Sequence, residues 1–156
     1  MLNALRFVML MSTVVWVGMI IFFSMVVTPV IFKTLPRATA GELVGNLFPR
    51  YWAIGYVAGI LSLSSLLAIS FVEKGFPAAR ILILALMTAL TFYSGLVISP
   101  QAKAVKAQMA VVEDPAKAEE LKAEFGRIHK KSFALNIVVL LAGVVFIFFI
   151  ARNMRL

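Results

Sequence analysis

Charged residues divide the chain into four long apolar runs, at 7–32, 51–72, 81–99 and 132–151, none of which contains Asp, Glu, Lys or Arg. The shortest is 19 residues. An α-helix needs about 20 residues to cross a hydrocarbon core about 30 Å thick. Lipid offers the backbone no hydrogen bonds, so each run is expected to be helical. The pattern therefore predicts an all-α membrane protein with four transmembrane helices, spanning about 7–32, 51–72, 80–99 and 132–151. The first run, at 26 residues, is too long for the apolar region of a signal peptide. It reads as a retained helix. Pro29 near its end removes an amide donor and is expected to kink its last turn. Ser24 and Thr28 there read as bonded to backbone carbonyls or to a neighbouring helix.

The connections carry patterns of their own. Thr39 and Glu42 have capping-box spacing, so a short helix is expected over 39–48. Its apolar positions Ala40, Leu43, Val44, Leu47 and Phe48 recur at helical spacing, and Pro49 is expected to close it as a separate amphipathic surface helix. Tyr51 and Trp52 then fit an interfacial aromatic belt. In the second run Gly55 and Gly59 form a Gly-x-x-x-Gly pair, a helix-packing pattern read as intrachain packing before dimerisation. The second connection, near 73–80, is tight. The third, 100–131, is the only sizeable polar segment. Strong helix formers fill 101–113, and Asp114-Pro115 supplies an N-cap and an N1 proline. The third and fourth helices are thus expected to extend beyond the bilayer as a helical hairpin. Two interfacial helices lying flat are the alternative. No repeat is evident between the halves of the chain.

Composition agrees with this reading. Of 156 residues, 62% are hydrophobic, well above a soluble domain of this size. The net charge of +8 lies mostly outside the apolar runs, where it meets anionic headgroups. Without interleaved aromatics or a nucleic-acid motif, it does not point to nucleic acid. Cysteine is absent, which excludes disulfides and thiol chemistry. Ten of the fifteen basic residues fall in the first and third connections. The positive-inside rule then puts those connections in the cytoplasm and both termini outside, with Arg152 and Arg155 on the outer face. A bacterial inner membrane is the expected location.

This topology brings Arg37 and Tyr51 to the same membrane surface as Gln101, His129, Ser132 and Asn136. Phe125, His129, Ser132 and Asn136 share one helical face, and His129 is the sole histidine. These six residues, Arg37, Tyr51, Gln101, His129, Ser132 and Asn136, form a candidate binding site. Each has a plainer reading. Arg37 is a headgroup anchor or an anion clamp, His129 a solvated interfacial residue or part of the site, and Asn136 interhelical glue or a ligand contact. No carboxylate lies inside a span, and no acidic partner stands near His129. No catalytic residue, metal site or cofactor is predicted.

Leu35-Pro36-Arg37, then Leu47-Phe48-Pro49-x-Tyr51, Ser99-Pro100 and Phe125-x-x-x-His129-x-x-Ser132-x-x-x-Asn136 together resemble the transmembrane protein 205 family. This is a set of small four-span membrane proteins classed as a domain of unknown function. The resemblance covers almost the whole chain. It implies the four-span fold, groups Arg37, His129 and Asn136, and implies no reaction. The functional expectation is binding or transport of a small molecule, ion or lipid at the candidate site. The alternative is an accessory subunit whose hairpin, 100–131, docks a partner protein. Membrane lipids and further copies of the chain are the other expected partners.

Overall fold

The computed structural model describes residues 1–152, so Arg155, counted above on the outer face, lies outside the described residues. Four helices carry the chain: α1 (Leu2–Thr34), α2 (Arg37–Glu73), α3 (Ala78–Met109) and α4 (Pro115–Ala151). All four are long and apolar enough to cross a membrane, and no strand occurs among the described residues. The 37 residues of α2 or of α4 extend about 55 Å, well beyond a hydrocarbon core of about 30 Å. Each of these helices therefore has a polar portion outside the apolar zone.

Helices α1 and α2 form one antiparallel hairpin, α3 and α4 a second. α2 packs on α3, and α4 returns to α1. The stretch Ser99–Met109 continues α3 and packs along α4, burying Val105 and Leu121 between them. This is the helical hairpin expected over 100–131, although its first arm ends at Met109 instead of running to 113. The side chain of Asp114 caps α4, accepting from the Ala116 N–H at 3.0 Å. The tight second connection turns at Lys74, the one residue with a left-handed backbone (φ 51°) among the described residues.

The separate surface helix over 39–48 is not formed. Pro36 holds Leu35 extended (φ −115°, ψ 151°), so the turn falls there and α2 starts at once with Arg37. Thr39 makes no capping bond. Pro49 lies inside α2 without ending it. Pro49 itself is exposed, and the residues on either side of it hold the helix together: Phe48 stacks on Trp52, with centroids 6.0 Å apart and planes 13° apart, on the face that meets Phe23 of α1. Neighbouring helices commonly compensate a proline in a membrane-spanning segment.

The other internal prolines leave a clearer mark. α1 contains a π-helical turn at Phe23–Val27 and α3 another at Ser94–Ile98. Each runs directly into a hydroxyl-proline pair, Thr28-Pro29 and Ser99-Pro100. Proline has no N–H, and its ring presses on the carbonyl four residues back. The helix accommodates this by widening: the Thr28 N–H reaches back to the Phe23 carbonyl and the Ser99 N–H to that of Ser94. The kink expected in the last turn of the first span is thus absorbed upstream of Pro29.

The core runs down the bundle axis through Trp16, Ile20, Leu84, Met87, Ile98 and Phe146. Gly55 and Gly59 admit its side chains. A Cβ at Gly55 would lie 3.0 Å from Thr91 Cγ2, and one at Gly59 3.1 Å from Trp16 Cη2. The Gly-x-x-x-Gly pair is therefore used inside the chain. Thr13 and Ser62 share a buried hydroxyl–hydroxyl hydrogen bond of 3.2 Å between α1 and α2. An Arg6–Glu73 ion pair fastens the start of α1 to the end of α2. Outward-facing Val14, Val57, Leu82, Leu141 and Phe148 remain exposed and form the apolar exterior.

Candidate functional site

Tyr51 is buried in the first apolar turn of α2, and its hydroxyl donates to Asn136 Oδ1 of α4 at 2.6 Å. Asn136 Nδ2 in turn donates to Ser24 Oγ of α1 at 3.4 Å. One polar cluster thus joins three helices. Its position follows from local structure. Ser24 sits in the π turn of α1, and Asn136 lies one turn inside the apolar run of α4. Polar groups at this depth need partners, and these three supply one another's.

An aromatic wall surrounds the cluster. The Tyr51 ring lies 4.9 Å from that of Phe23 and 5.0 Å from that of Trp52. Trp52 is 6% exposed, and its indole N–H has no acceptor among the described residues. Behind it, the π turn of α3 presents Gly95, where a Cβ would lie 3.0 Å from Trp52 Cγ. Tyr56 stacks on Phe92 at 4.4 Å beside this contact. The two π turns therefore flank one aromatic, neutral polar region. Among the described residues no charged side chain hydrogen-bonds within the cluster.

Of the six sequence-predicted residues, the structure joins Tyr51 and Asn136 directly. Arg37 is exposed at the first position of α2, fourteen residues before Tyr51. Because α2 runs unbroken through Pro49, that spacing is about 21 Å along the helix. Arg37 does not join the cluster, a consequence of the missing break. His129 is exposed two turns before Asn136, with its ring stacked on Phe125 at 6.3 Å. Gln101 is exposed and Ser132 half-buried, and neither side chain has a hydrogen bond among the described residues. The pocket expected to unite all six is not formed as a single contact network.

For Ser24 the structure selects the neighbouring-helix alternative, through Asn136, while Trp52, expected in the interfacial belt, is buried; neither was among the six candidate site residues. A usable signal was present: each π turn precedes a Ser/Thr-Pro pair, and Ser24 lies five residues before Pro29. Other contacts brace the same end of the bundle. Lys106 donates to the Gly41 carbonyl at 3.2 Å. Lys131 donates to the Tyr93 hydroxyl at 2.8 Å, with its ammonium 5.1 Å from the ring centroid. An open pocket of about 360 Å³ lies at the opposite end, between Leu66, Ile69, Ser70, Glu73, Phe76 and Arg80. Among the described residues no group of three or more His, Asp or Glu could hold a metal ion.

Residues 11–111 match the family model described as a domain of unknown function, DUF4149. The chain belongs to that family. No curated protein and no solved structure matches it. In this DUF4149 protein the matched segment holds α1 from Met11, all of α2, and α3 to its end. Ser24, Tyr51, Trp52, Gly95 and both π turns fall inside it. Asn136, which completes the cluster, lies beyond it on α4.

Proposed function

We propose that this DUF4149 protein binds a small amphipathic molecule at the Ser24–Tyr51–Asn136 cluster, and that the bound molecule has an uncharged acceptor group on an apolar body. The observation that carries the reading is the buried Trp52 indole N–H without an acceptor, beside three neutral polar side chains and an aromatic wall. A buried donor left unpaired costs on the order of 1–3 kcal/mol, and a ligand carbonyl, ester or hydroxyl oxygen would recover it. Charged ligands fit poorly, because no ionised side chain stands in the cluster to offset their desolvation. Lipids and lipid-soluble small molecules have the required chemistry. Transport is the expected use of such a site in a four-span protein.

In this reading the first and third connections face the cytoplasm of a bacterial cell, as the distribution of basic residues favours. Arg37, Gln101, His129 and Ser132 then line the approach from that surface without touching the bound molecule. The resemblance to the transmembrane protein 205 family supports the same grouping, since its motifs continue past residue 111 through Asn136. Partner docking through 100–131 is the weaker reading, because the hairpin buries Val105 and Leu121 against itself.

The test is thermal unfolding of the detergent-purified protein with uncharged carbonyl-bearing amphiphiles, a monoacylglycerol and a short-chain quinone. Wild-type protein is expected to gain stability with at least one. Trp52→Phe, which keeps the ring and removes the N–H, is expected to lose that gain. Equal responses from the two proteins would sink the proposal.

A further inference from the structure

The two hairpins correspond in structure where they hardly correspond in sequence. Buried Thr13, Trp16 and Ile20 of α1 are matched by buried Leu84, Met87 and Thr91 of α3, each 71 residues further on. The same interval carries the first π turn onto the second and Pro29 onto Pro100. Buried Val44, Ser62, Leu66 and Ile69 of α2 are matched by buried Leu121, Val139, Gly143 and Phe146 of α4, each 77 residues further on. Both second helices are 37 residues long. A repeat was not evident in the sequence because it is conserved in burial and in helix breaks, with few identities such as Phe48 with Phe125 and Arg50 with Arg127.

The correspondence is partial, and the polar cluster is one place where it fails. The counterparts of Ser24 and Tyr51 are Gly95 and Ile128, and the counterpart of Asn136 is Gly59. The seams between the hairpins therefore differ. The α2–α3 seam is closed by glycine packing, Gly95 against Trp52 and Gly59 against Thr88. The α1–α4 seam is less extensive. It is closed at the cluster by the hydrogen bonds of Asn136. Two turns away from that cluster on each helix, Gly143 of α4 packs tightly on Val17 of α1.

We infer that the chain is a duplicated helical hairpin whose halves rock apart along the α1–α4 seam, bending at the paired π turns and pivoting at Val17–Gly143, with Tyr51–Asn136–Ser24 as the latch. Only the purpose of the motion, admitting a ligand to the cluster, rests on the function proposed above. Each ingredient has a physical cause. A π turn replaces regular i→i−4 bonding with a looser step and is a frequent site of helix bending. Parallel repeats related about an axis along the membrane normal move as rigid halves in several transporter folds. The latch joins the halves through neutral hydrogen bonds, which are individually weak in a membrane and so can open.

The absence of cysteine allows spin labels to be placed without background. One pair, Lys33→Cys with Lys130→Cys, reports across the halves at the latch end. A second, Asn3→Cys with Ala79→Cys, reports across them at the opposite end. All four positions are exposed. Distances measured by pulsed electron resonance in nanodiscs, without any ligand, are expected to lengthen and broaden for the first pair on Asn136→Ala. The second pair is expected to stay unchanged. Adding Pro29→Ala and Pro100→Ala restores both amide donors and is expected to narrow the first distribution again. An unchanged first pair, a shift of both pairs alike, or no effect of the proline substitutions would overturn the inference. Because no ligand is used, failure of the amphiphile test above leaves this result standing, and the reverse also holds.

Discussion

The Tyr51 hydroxyl donates to Asn136 Oδ1 at 2.6 Å, tying α2 to α4 across the axis of the bundle. Tyr51 is buried, and Asn136 spends its other polar atom on Ser24. Hydrogen bonds between membrane helices contribute about 0.6–2 kcal/mol each. Tyr51→Phe and Asn136→Ala are each expected to lower stability by about 1–2 kcal/mol in denaturant titrations in mixed micelles. The double variant should lose less than the sum, with a coupling of about 1 kcal/mol. Strict additivity would show that the bond does not bear on stability.

Gly95 is predicted to be among the least tolerant glycines. A Cβ there would run into the Tyr56 hydroxyl oxygen and lie 3.0 Å from Trp52 Cγ. Tyr56 has a free end that can swing, whereas Trp52 is buried and cannot. Gly95→Ala is expected to cost about 1–3 kcal/mol by overpacking. Gly18→Ala serves as the control, since no atom lies within 4 Å of its added methyl. Tyr56→Phe in the Gly95→Ala background should recover part of the loss by removing the nearest atom. The check is the unfolding midpoint of the three variants in one detergent, and equal midpoints for the two alanine substitutions would refute the packing argument.

The four helices were legible because charge-free runs of membrane length leave the backbone one regular option. The Asp114 cap was legible too, since an aspartate before proline is a local signal needing no tertiary partner. Pro49 misled for the converse reason. Its effect depends on the tertiary contacts of the flanking residues, Phe48 with Phe23 and with Trp52, which local sequence does not reveal. That single misplaced break moved Arg37 about 21 Å away from the site to which it had been assigned. Tyr51 and Asn136 were identifiable as polar or amphipathic residues at membrane depth. Ser24 was legible only as a choice between its own backbone and a neighbouring helix, because a helical serine can satisfy itself on the backbone and its partner Asn136 is set by tertiary packing.

A buried hydroxyl pair permits a prediction that separates single from double changes. Thr13 Oγ1 lies 3.2 Å from Ser62 Oγ, and it also lies 2.8 Å from the Met9 carbonyl, to which it donates. Ser62 is fully buried. Thr13→Val removes the partner and leaves the serine hydroxyl desolvated, an expected cost of about 1–2 kcal/mol. Thr13→Val with Ser62→Ala removes both polar groups and should return most of that stability. A double variant no better than the single one would mean that Ser62 finds another acceptor on α2.

The last prediction concerns the hairpin. The Asp114 carboxylate accepts from the Ala116 N–H at 3.0 Å, and Pro115 presets the first helical φ. Asp114 is exposed, and the membrane bundle lies more than a full turn away. Its loss should therefore be felt locally. Asp114→Ala is expected to weaken the first turn of α4 by about 1 kcal/mol, raising amide exchange there roughly fivefold. Asp114→Asn, which keeps the capping oxygen without the charge, should restore most of the protection, because the cap is a hydrogen bond first and a charge effect second. Exchange around Asn136 should be the same in all three proteins. If it rose together with that of the first turn, the hairpin and the site would be one cooperative unit, and the local account of the cap would fail.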